Sequence, residues 1–212
     1  MRPAPAERVD ALLQRHWPEA RCELQAATPW ELLVAVICST RAADERVNQI
    51  MAVLHEHVLG PATLADADPR DWYPLLRRLP FYKQKARAIC EAARAIHYRH
   101  GGRVPRDPAA LRALAGVGRK TAAVVLGNAF GMPAVAADRH VIRVVHRWGW
   151  IPGEQALLAE RAVERRLPED RWVQACHQMI RLGREHCRPV KPYCSRCPCA
   201  SICPRQGVVE SR

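Results

Sequence analysis

Apolar residues recur at helical spacing along most of the chain, and this periodicity is the feature that most restricts the fold. Four stretches show it: Val9, Leu12 and Leu13; Leu32, Leu33, Val36 and Ile37; Ile89, Ala92, Ala93 and Ile96; and Val173, Cys176, Met179 and Ile180. This spacing places the residues on one face of a helix, whereas a half-buried strand alternates polar and apolar residues. No long stretch alternates in that way. The sequence therefore predicts an all-α fold.

Proline marks the predicted start of several helices. Thr28-Pro29, Asp68-Pro69 and Asp107-Pro108 each place a capping residue directly before proline. A Thr or Asp side chain accepts a hydrogen bond from the first helical turn, and proline suits the first helical position because the N–H missing there would have no partner. We expect the 17 prolines and 11 glycines to separate short helices.

The charge balance points to a polyanionic partner. The chain has 33 Lys and Arg against 21 Asp and Glu, a net charge of +12. Nucleic acid is the first expected partner and an anionic membrane the second. No stretch has the ~18 uninterrupted apolar residues that a bilayer span needs. The 212 residues suit one large domain or two small lobes. The first ten residues carry charge and proline without an apolar core, so we expect no secretory signal and a reducing cytoplasm.

The segment Leu114-Ala115-Gly116-Val117-Gly118-Arg119-Lys120-Thr121 lies between two predicted helices. We expect Gly116 and Gly118 to form a tight turn with positive φ that exposes backbone N–H groups. Together with Arg119 and the positive end of the following helix, these donors would bind a DNA phosphate. The alternative is a connector in which the glycines serve only the turn.

Lys120 is one of only four lysines in the chain. It lies in the first turn of the second predicted helix. A primary amine at this position would be able to attack the sugar C1′ of a damaged nucleotide and form a Schiff base, which arginine cannot do. On local sequence alone, a simple phosphate contact is the more common role for a lysine beside such a turn.

Asp138 precedes an apolar helical pattern that runs from Val141 to Val145, and it is predicted to cap that helix. A fixed carboxylate would also stabilise the positive charge that develops on a sugar as its base leaves, or help to activate an amine or a water. Local sequence favours the plain cap, and it does not show whether Asp138 meets Lys120.

Five of the nine cysteines fall after residue 186. Cys187, Cys194, Cys197 and Cys203 are separated by six, two and five residues. In a chain without a secretory signal, such clustering favours a metal centre over disulfides. Zinc sites usually contain two close pairs, so one pair with two long arms favours a [4Fe–4S] cluster. Cys199 is either a substitute for Cys203 or a buried thiol. Ordinary thiols are expected for the scattered cysteines, Cys22, Cys38, Cys90 and Cys176.

Basic residues surround these cysteines, and Lys191 is the lysine among them. A metal centre there would serve as a staple that holds a basic loop against a phosphate backbone. Electron transfer is the other role considered for it.

Taken together, these motifs resemble the endonuclease III family of DNA glycosylases, in the helix-hairpin-helix superfamily. The resemblance runs from about Val9 to Cys203. It depends on the 116–122 hairpin, on Asp138 eighteen residues after the lysine, and on the cysteine spacing. It implies that Lys120 is the Schiff-base nucleophile, that Asp138 is the catalytic aspartate, and that the four cysteines hold a [4Fe–4S] cluster.

The resemblance also implies two helical lobes. Residues 22–132 would form a six-helix lobe with the helix-hairpin-helix, and residues 1–21 with 133–212 would form the cluster lobe. Duplex DNA would lie in the groove between them, with the lesion flipped into a pocket. Phe81 would be the wedge inserted into the duplex, and Arg41 would fill the opposite strand.

Four residues depart from the usual family pattern. Arg41 replaces glutamine, Pro80 replaces glycine, Ala115 replaces proline, and Arg139 replaces threonine after the aspartate. The changes leave the amine and the acid in place, and they bear on lesion preference and turnover.

The leading hypothesis is a monomeric, bifunctional DNA glycosylase and apurinic/apyrimidinic (AP) lyase that removes oxidised pyrimidines from duplex DNA. One alternative is a damage-binding protein of the same fold with little turnover. Another is a monofunctional glycosylase, against which Lys120 argues because base release by water needs no amine.

Overall fold

A computed structural model describes residues 2–55 and 60–212 of the chain. Within these ranges it contains eleven α-helices, three 3₁₀ helices and no β-strand, which confirms the all-α prediction. No helix in the same ranges is both long enough and apolar enough to cross a membrane. The chain divides into two compact units. The hairpin unit is Cys22–Met132, and the cysteine unit is Met1–Arg21 with Pro133–Arg212.

The helix bounds follow in chain order. The α-helices are α1 (Ala6–His16), α2 (Pro29–Cys38), α3 (Asp44–His55), α4 (Pro61–Ala65), α5 (Tyr73–Leu76), α6 (Tyr82–Arg99), α7 (Pro108–Arg112), α8 (Arg119–Phe130), α9 (Arg139–Arg147), α10 (Ala156–Arg166) and α11 (Trp172–Glu185). The 3₁₀ helices are Pro69–Trp72, Glu169–Arg171 and Cys194–Arg196.

Helix α2 forms the centre of the hairpin unit, and all of its residues except Pro29 are buried. The Thr28 hydroxyl accepts a hydrogen bond from the Glu31 N–H at 3.1 Å. The Glu31 carboxylate in turn accepts one from the Ala27 N–H at 2.8 Å. The first bond satisfies an N–H group of the first helical turn, and the second holds the residue before the cap. Together they confirm the helix start predicted at Thr28.

The other two predicted starts also hold, with one difference. Asp107 accepts a hydrogen bond from the Ala110 N–H at 2.7 Å and caps α7. Asp68 accepts one from the Arg70 N–H at 2.9 Å, but the element that follows is a 3₁₀ helix. Helix α7 leads through a short turn into α8, which packs against α2. The hairpin of α7 and α8 is therefore held against the buried helix α2 through α8.

The cysteine unit has a separate core. It is built from the apolar faces of α1, α9, α10 and α11. Helix α9 contacts both α10 and α11, and α11 also contacts α1. Cys176 and Cys199 are buried in this core. In the hairpin unit, Cys38 and Cys90 are likewise buried, and Cys22 is partly exposed.

Candidate functional site

The turn between α7 and α8 contains two glycines with different roles. Gly116 has a φ of +74°, and a Cβ there would lie 2.9 Å from the Cβ of Ala88 on α6. This position requires glycine for its backbone conformation and for the close approach of α6. Gly118 has a φ of −87°, and no described atom lies within 4 Å of a Cβ placed there. The prediction of positive φ is confirmed for Gly116 and wrong for Gly118, because Gly118 is the extended N-cap residue of α8.

Arg119 and Lys120 are the first two residues of α8, and both side chains are exposed. Gly118 provides no side-chain cap, so the first N–H groups of α8 are not capped from that residue. Burial raises the pKa of Cys22, and the positive charge of Lys120 acts against that rise. The structure thus places a primary amine at the positive end of a helix whose N-cap residue has no side chain.

Two loops in the hairpin unit bring Arg41 and Phe81 into contact. Arg41 follows α2 and has a φ of +56°, while Phe81 precedes α6 and has a φ of +57°. This left-handed region is uncommon for residues other than glycine. The Arg41 guanidinium lies 5.5 Å from the centre of the Phe81 ring, within cation–π distance. Both side chains are exposed.

Asp138 is the N-cap residue of α9, as the sequence predicts. Its Oδ1 atom accepts hydrogen bonds from the N–H groups of His140 at 2.7 Å and Val141 at 2.9 Å. Both cap bonds end on Oδ1, so the cap does not use Oδ2. The residue is half-buried. The carboxylate is therefore held in one orientation by the backbone of α9. Lys120 belongs to the hairpin unit and Asp138 to the cysteine unit.

The sequence patterns did not predict that two arginines of α9 are buried. Arg143 donates hydrogen bonds to the carbonyls of Cys187 at 2.8 Å and Gly183 at 3.1 Å. Arg147 donates to the carbonyls of Arg188 at 2.7 Å and Pro189 at 2.9 Å. The two guanidinium groups fix the start of the cysteine loop, residues 187–203, to α9. A basic residue repeated after four positions within an apolar helix is the signal that was available.

The four spaced cysteines line one cavity in the cysteine unit. The cysteines on its wall are Cys187, Cys194, Cys197 and Cys203. The apolar side chains of Trp148 and Leu182 also line it. Cys199 is completely buried and does not line this cavity. It is therefore a buried thiol rather than a substitute for Cys203. In the described part of the chain, no three His, Cys, Asp or Glu residues are grouped as ligands of a single metal ion.

Hydrogen bonds distinguish the sulfur atoms of this cavity. A hydrogen bond with Cys199 lowers the pKa of Cys197 to about 7, and the same bond raises the pKa of Cys199. Burial raises the pKa of Cys187, although Arg147 donates to its Sγ at 3.3 Å and opposes the rise. Burial also raises the pKa of Cys203, to about 11. The Cys197 thiol therefore has a lower pKa than the thiols of Cys187, Cys199 and Cys203.

The cysteine loop carries concentrated positive charge. Lys191 has a φ of +46°, and its Nζ lies 2.8 Å from a carboxylate oxygen of Glu210. Three guanidinium groups lie 4.7 to 5.6 Å from the centre of the Tyr193 ring: Arg188, Arg196 and Arg212. The loop thus presents several cations around one aromatic ring.

Comparisons with known proteins agree with this geometry. The model of the HhH-GPD superfamily of base excision DNA repair proteins matches residues 34–169. Endonuclease III of Bacillus subtilis (strain 168) is 37% identical over 192 residues, covering 90% of this chain and 87% of that protein. Endonuclease III of Escherichia coli (strain K12) is 36% identical over 207 residues, covering 97% and 98%.

Solved structures give the same result. The structure of a trapped endonuclease III–DNA covalent intermediate, an estranged-adenine complex, matches with a TM-score of 0.88 at 35% identity and covers 93% of both chains. A non-covalent endonuclease III–DNA complex matches equally well, with a TM-score of 0.88. The chain therefore belongs to the endonuclease III family of the HhH-GPD superfamily, the bifunctional DNA glycosylases and AP lyases of base excision repair, as its motifs predicted.

Proposed function

We propose that this protein removes oxidised pyrimidines from duplex DNA, with Lys120 as the nucleophile and Asp138 as the charge-stabilising acid. The observation that carries the proposal is Lys120 itself, an exposed primary amine in the first turn of α8, directly after the Gly116 turn. A structure of a related endonuclease III is described as a covalent intermediate with DNA. An amine nucleophile accounts for such a bond.

The reaction begins when the lone pair of Lys120 Nζ attacks C1′ of the damaged nucleotide. The C1′–N bond breaks, and the base leaves with the bonding electrons and takes up a proton. The Asp138 carboxylate stabilises the positive charge that develops on the sugar in this step. Its fixed position on α9 suits this role, because a preorganised charge does not have to reorient during the reaction.

The substituted amine then loses a proton, the C1′–O4′ bond of the sugar breaks and O4′ takes up a proton. The opened sugar is joined to Lys120 Nζ through an imine at C1′, and this imine permits strand cleavage. A base removes a proton from C2′, and the C3′–O bond breaks with departure of the 3′ phosphate. The strand is therefore nicked 3′ to the lesion. Water hydrolyses the imine and restores the Lys120 amine.

In this proposal the protein contacts the phosphate backbone of the DNA and also fills the gap that a flipped base leaves in the duplex. The N–H groups at the start of α8, which follows the turn of Gly116 and Gly118, bind a phosphate together with Arg119. Phe81 and Arg41 enter the duplex beside the flipped nucleotide. Lys191 contacts the phosphate backbone. Binding should weaken steeply with salt because phosphate contacts release counterions.

The test of this chemistry is borohydride trapping on a thymine glycol duplex. Borohydride reduces the imine, so we expect a covalent protein–DNA complex with the unchanged protein. Lys120→Ala should abolish the complex. Lys120→Arg is the matched control, because it keeps the positive charge but has no primary amine, and it should also abolish trapping. Trapping that survives Lys120→Arg would show that another group is the nucleophile.

We further propose that Cys187, Cys194, Cys197 and Cys203 hold a [4Fe–4S] cluster. What supports this is the shared cavity, which these four cysteines line and Cys199 does not. Such a cluster takes one thiolate on each of four irons. When bound, it would connect four points of the loop and stabilise the fold as a structural metal centre does. The neighbouring cations would then be held in place for a phosphate backbone.

Metal analysis tests the cluster. We expect a yellow-brown protein that contains iron and sulfide, with Cys197→Ser losing the colour and Cys199→Ala retaining it. A colourless protein with one zinc per chain would refute the proposal.

None of the nine cysteines forms a disulfide in the structure, which fits a reducing cytoplasm. We also expect the protein to act as a monomer.

A further inference from the structure

Lys85 makes an unusual pair of hydrogen bonds inside the hairpin unit. It lies on α6 and is only 5% exposed. Its Nζ donates to the carbonyl of Cys38 and to the carbonyl of Thr40, both at 2.8 Å. A buried ammonium group needs such acceptors, because an unpaired buried charge is strongly unfavourable. The bonds connect α6 to the loop that follows α2.

The two acceptors lie where they control the conformation of Arg41. Cys38 is the last residue of α2, so its carbonyl lies at the negative end of that helix, where a cation is favourable. Thr40 precedes Arg41, and its carbonyl belongs to the peptide bond that leads into the left-handed residue. A turn closes around this peptide, with the Ala42 N–H donating to the Ser39 carbonyl at 3.0 Å. Lys85 therefore holds the peptide plane from which the Arg41 side chain projects.

The same residue also belongs to the first turn that follows Phe81. The backbone N–H of Lys85 donates to the Phe81 carbonyl at 3.0 Å. One lysine thus contacts the backbone of both loops, through its side chain on one and its main chain on the other. The side chains that these loops carry meet at their tips, with Arg41 over the Phe81 ring at 5.5 Å.

We propose that Lys85 is a positioning residue that holds the Arg41 turn against the start of α6, so that Arg41 and Phe81 enter duplex DNA as one preformed unit. This inference rests on the proposed function, because it assumes that these two side chains occupy the space around a flipped nucleotide. Preformed geometry lowers the entropy lost when the loops insert, and small misplacements of such groups reduce rates strongly.

Lys85→Met tests the inference, because methionine has a similar length and cannot donate. We expect base release from a thymine glycol duplex to fall by about 10- to 100-fold in kcat/KM. Lys85→Arg keeps a donor and should recover most of this loss. Arg99→Met removes one exposed charge from the far end of the same helix and controls for net charge, with an expected change below about twofold.

A second substrate separates positioning from general damage to the fold. A single-stranded oligonucleotide with an abasic site offers Lys120 the same sugar carbon but has no opposite strand to fill. Borohydride trapping on this substrate should stay within about twofold of the unchanged protein in Lys85→Met. Equal losses on both substrates would overturn the proposal, because they would show a purely structural role. Failure of the unchanged protein to trap either substrate would instead refute the proposed function.

A double-mutant cycle identifies the residue through which Lys85 acts. If Lys85 positions Arg41, then Lys85→Met should reduce base release by less than about threefold when Arg41 is already alanine. Losses that multiply in full in the double variant would show that the two residues act independently, and would overturn the inference. Thermal unfolding of each variant monitors folding. If Lys85→Met does not fold, Lys85→Gln takes its place in the cycle, because its side chain is neutral and its nitrogen is one atom short of the position of Nζ.

Discussion

Replacing Asp138 by asparagine and by alanine separates its two roles. Asparagine keeps an oxygen in the position of Oδ1, so it can still accept from His140 and Val141, but it removes the negative charge. Alanine removes both the charge and the cap. If the carboxylate stabilises the transition state, base release should fall about equally in both variants, by about 10²- to 10³-fold.

The stability of the two variants should differ instead. Alanine loses two hydrogen bonds of 2.7 and 2.9 Å, and the loss of such a cap costs about 1 kcal/mol and at most about 2. In a chain of this size, 1 kcal/mol corresponds to a fall in Tm of roughly 2–4 °C. Asparagine loses only the interaction of its charge with the start of α9, about 0.3–1 kcal/mol. Asp138→Asn should therefore unfold closer to the unchanged protein than Asp138→Ala.

The assay is single-turnover base release from a thymine glycol duplex, measured beside strand cleavage at a preformed abasic site. On the abasic substrate the base has already left, so we expect both variants to lose less activity there. An asparagine variant that releases the base within about threefold of the unchanged protein would refute the role of the charge. Asp138 would then be only a helix cap.

Two further perturbations test the hairpin and the cysteine loop. Gly116→Ala forces a left-handed alanine against Ala88 and should destabilise the fold by at least about 2 kcal/mol, whereas Gly118→Ala, with open space and extended backbone, should cost less than about 1 kcal/mol in thermal unfolding. Equal effects would contradict the assignment of the required glycine. Glu210→Gln removes the partner of Lys191 and should tighten duplex binding by about two- to threefold at low salt, with no difference at high salt. An equal change at both salt concentrations would mean that the pair does not act through charge.

The features that were predictable from the sequence are local ones. Thr28 and Asp107 cap their helices because a capping side chain and the N–H groups it binds lie within three residues of each other. The periodic apolar residues gave the all-α class for the same reason. The Gly-x-Gly spacing could not show which glycine has positive φ, because the requirement for Gly116 also comes from Ala88, a distant residue on α6.

The features that were not predictable depend on distant partners. The Lys85 ammonium binds carbonyls 45 and 47 residues earlier, and the Arg143 guanidinium binds a carbonyl 44 residues later. Charged residues on a helix are usually exposed, and nothing in the sequence next to Lys85 marks it as buried. The four-residue repeat of arginine in α9 does not show which distant carbonyls Arg143 binds. Cys199 was left open for a similar reason, since only the packing of the core separates it from the cysteines of the cavity.

Arg143 and Arg147 of α9 bind main-chain oxygens, and this has a consequence for redesign of the cysteine loop. Every residue carries the same carbonyl, so Arg147 recognises the path of the chain rather than the identity of the side chains at positions 188 and 189. Randomised libraries at those two positions should therefore yield a high proportion of folded clones. A deletion of one residue in the same stretch should yield few, because it shifts the oxygens out of register with the Arg147 guanidinium group.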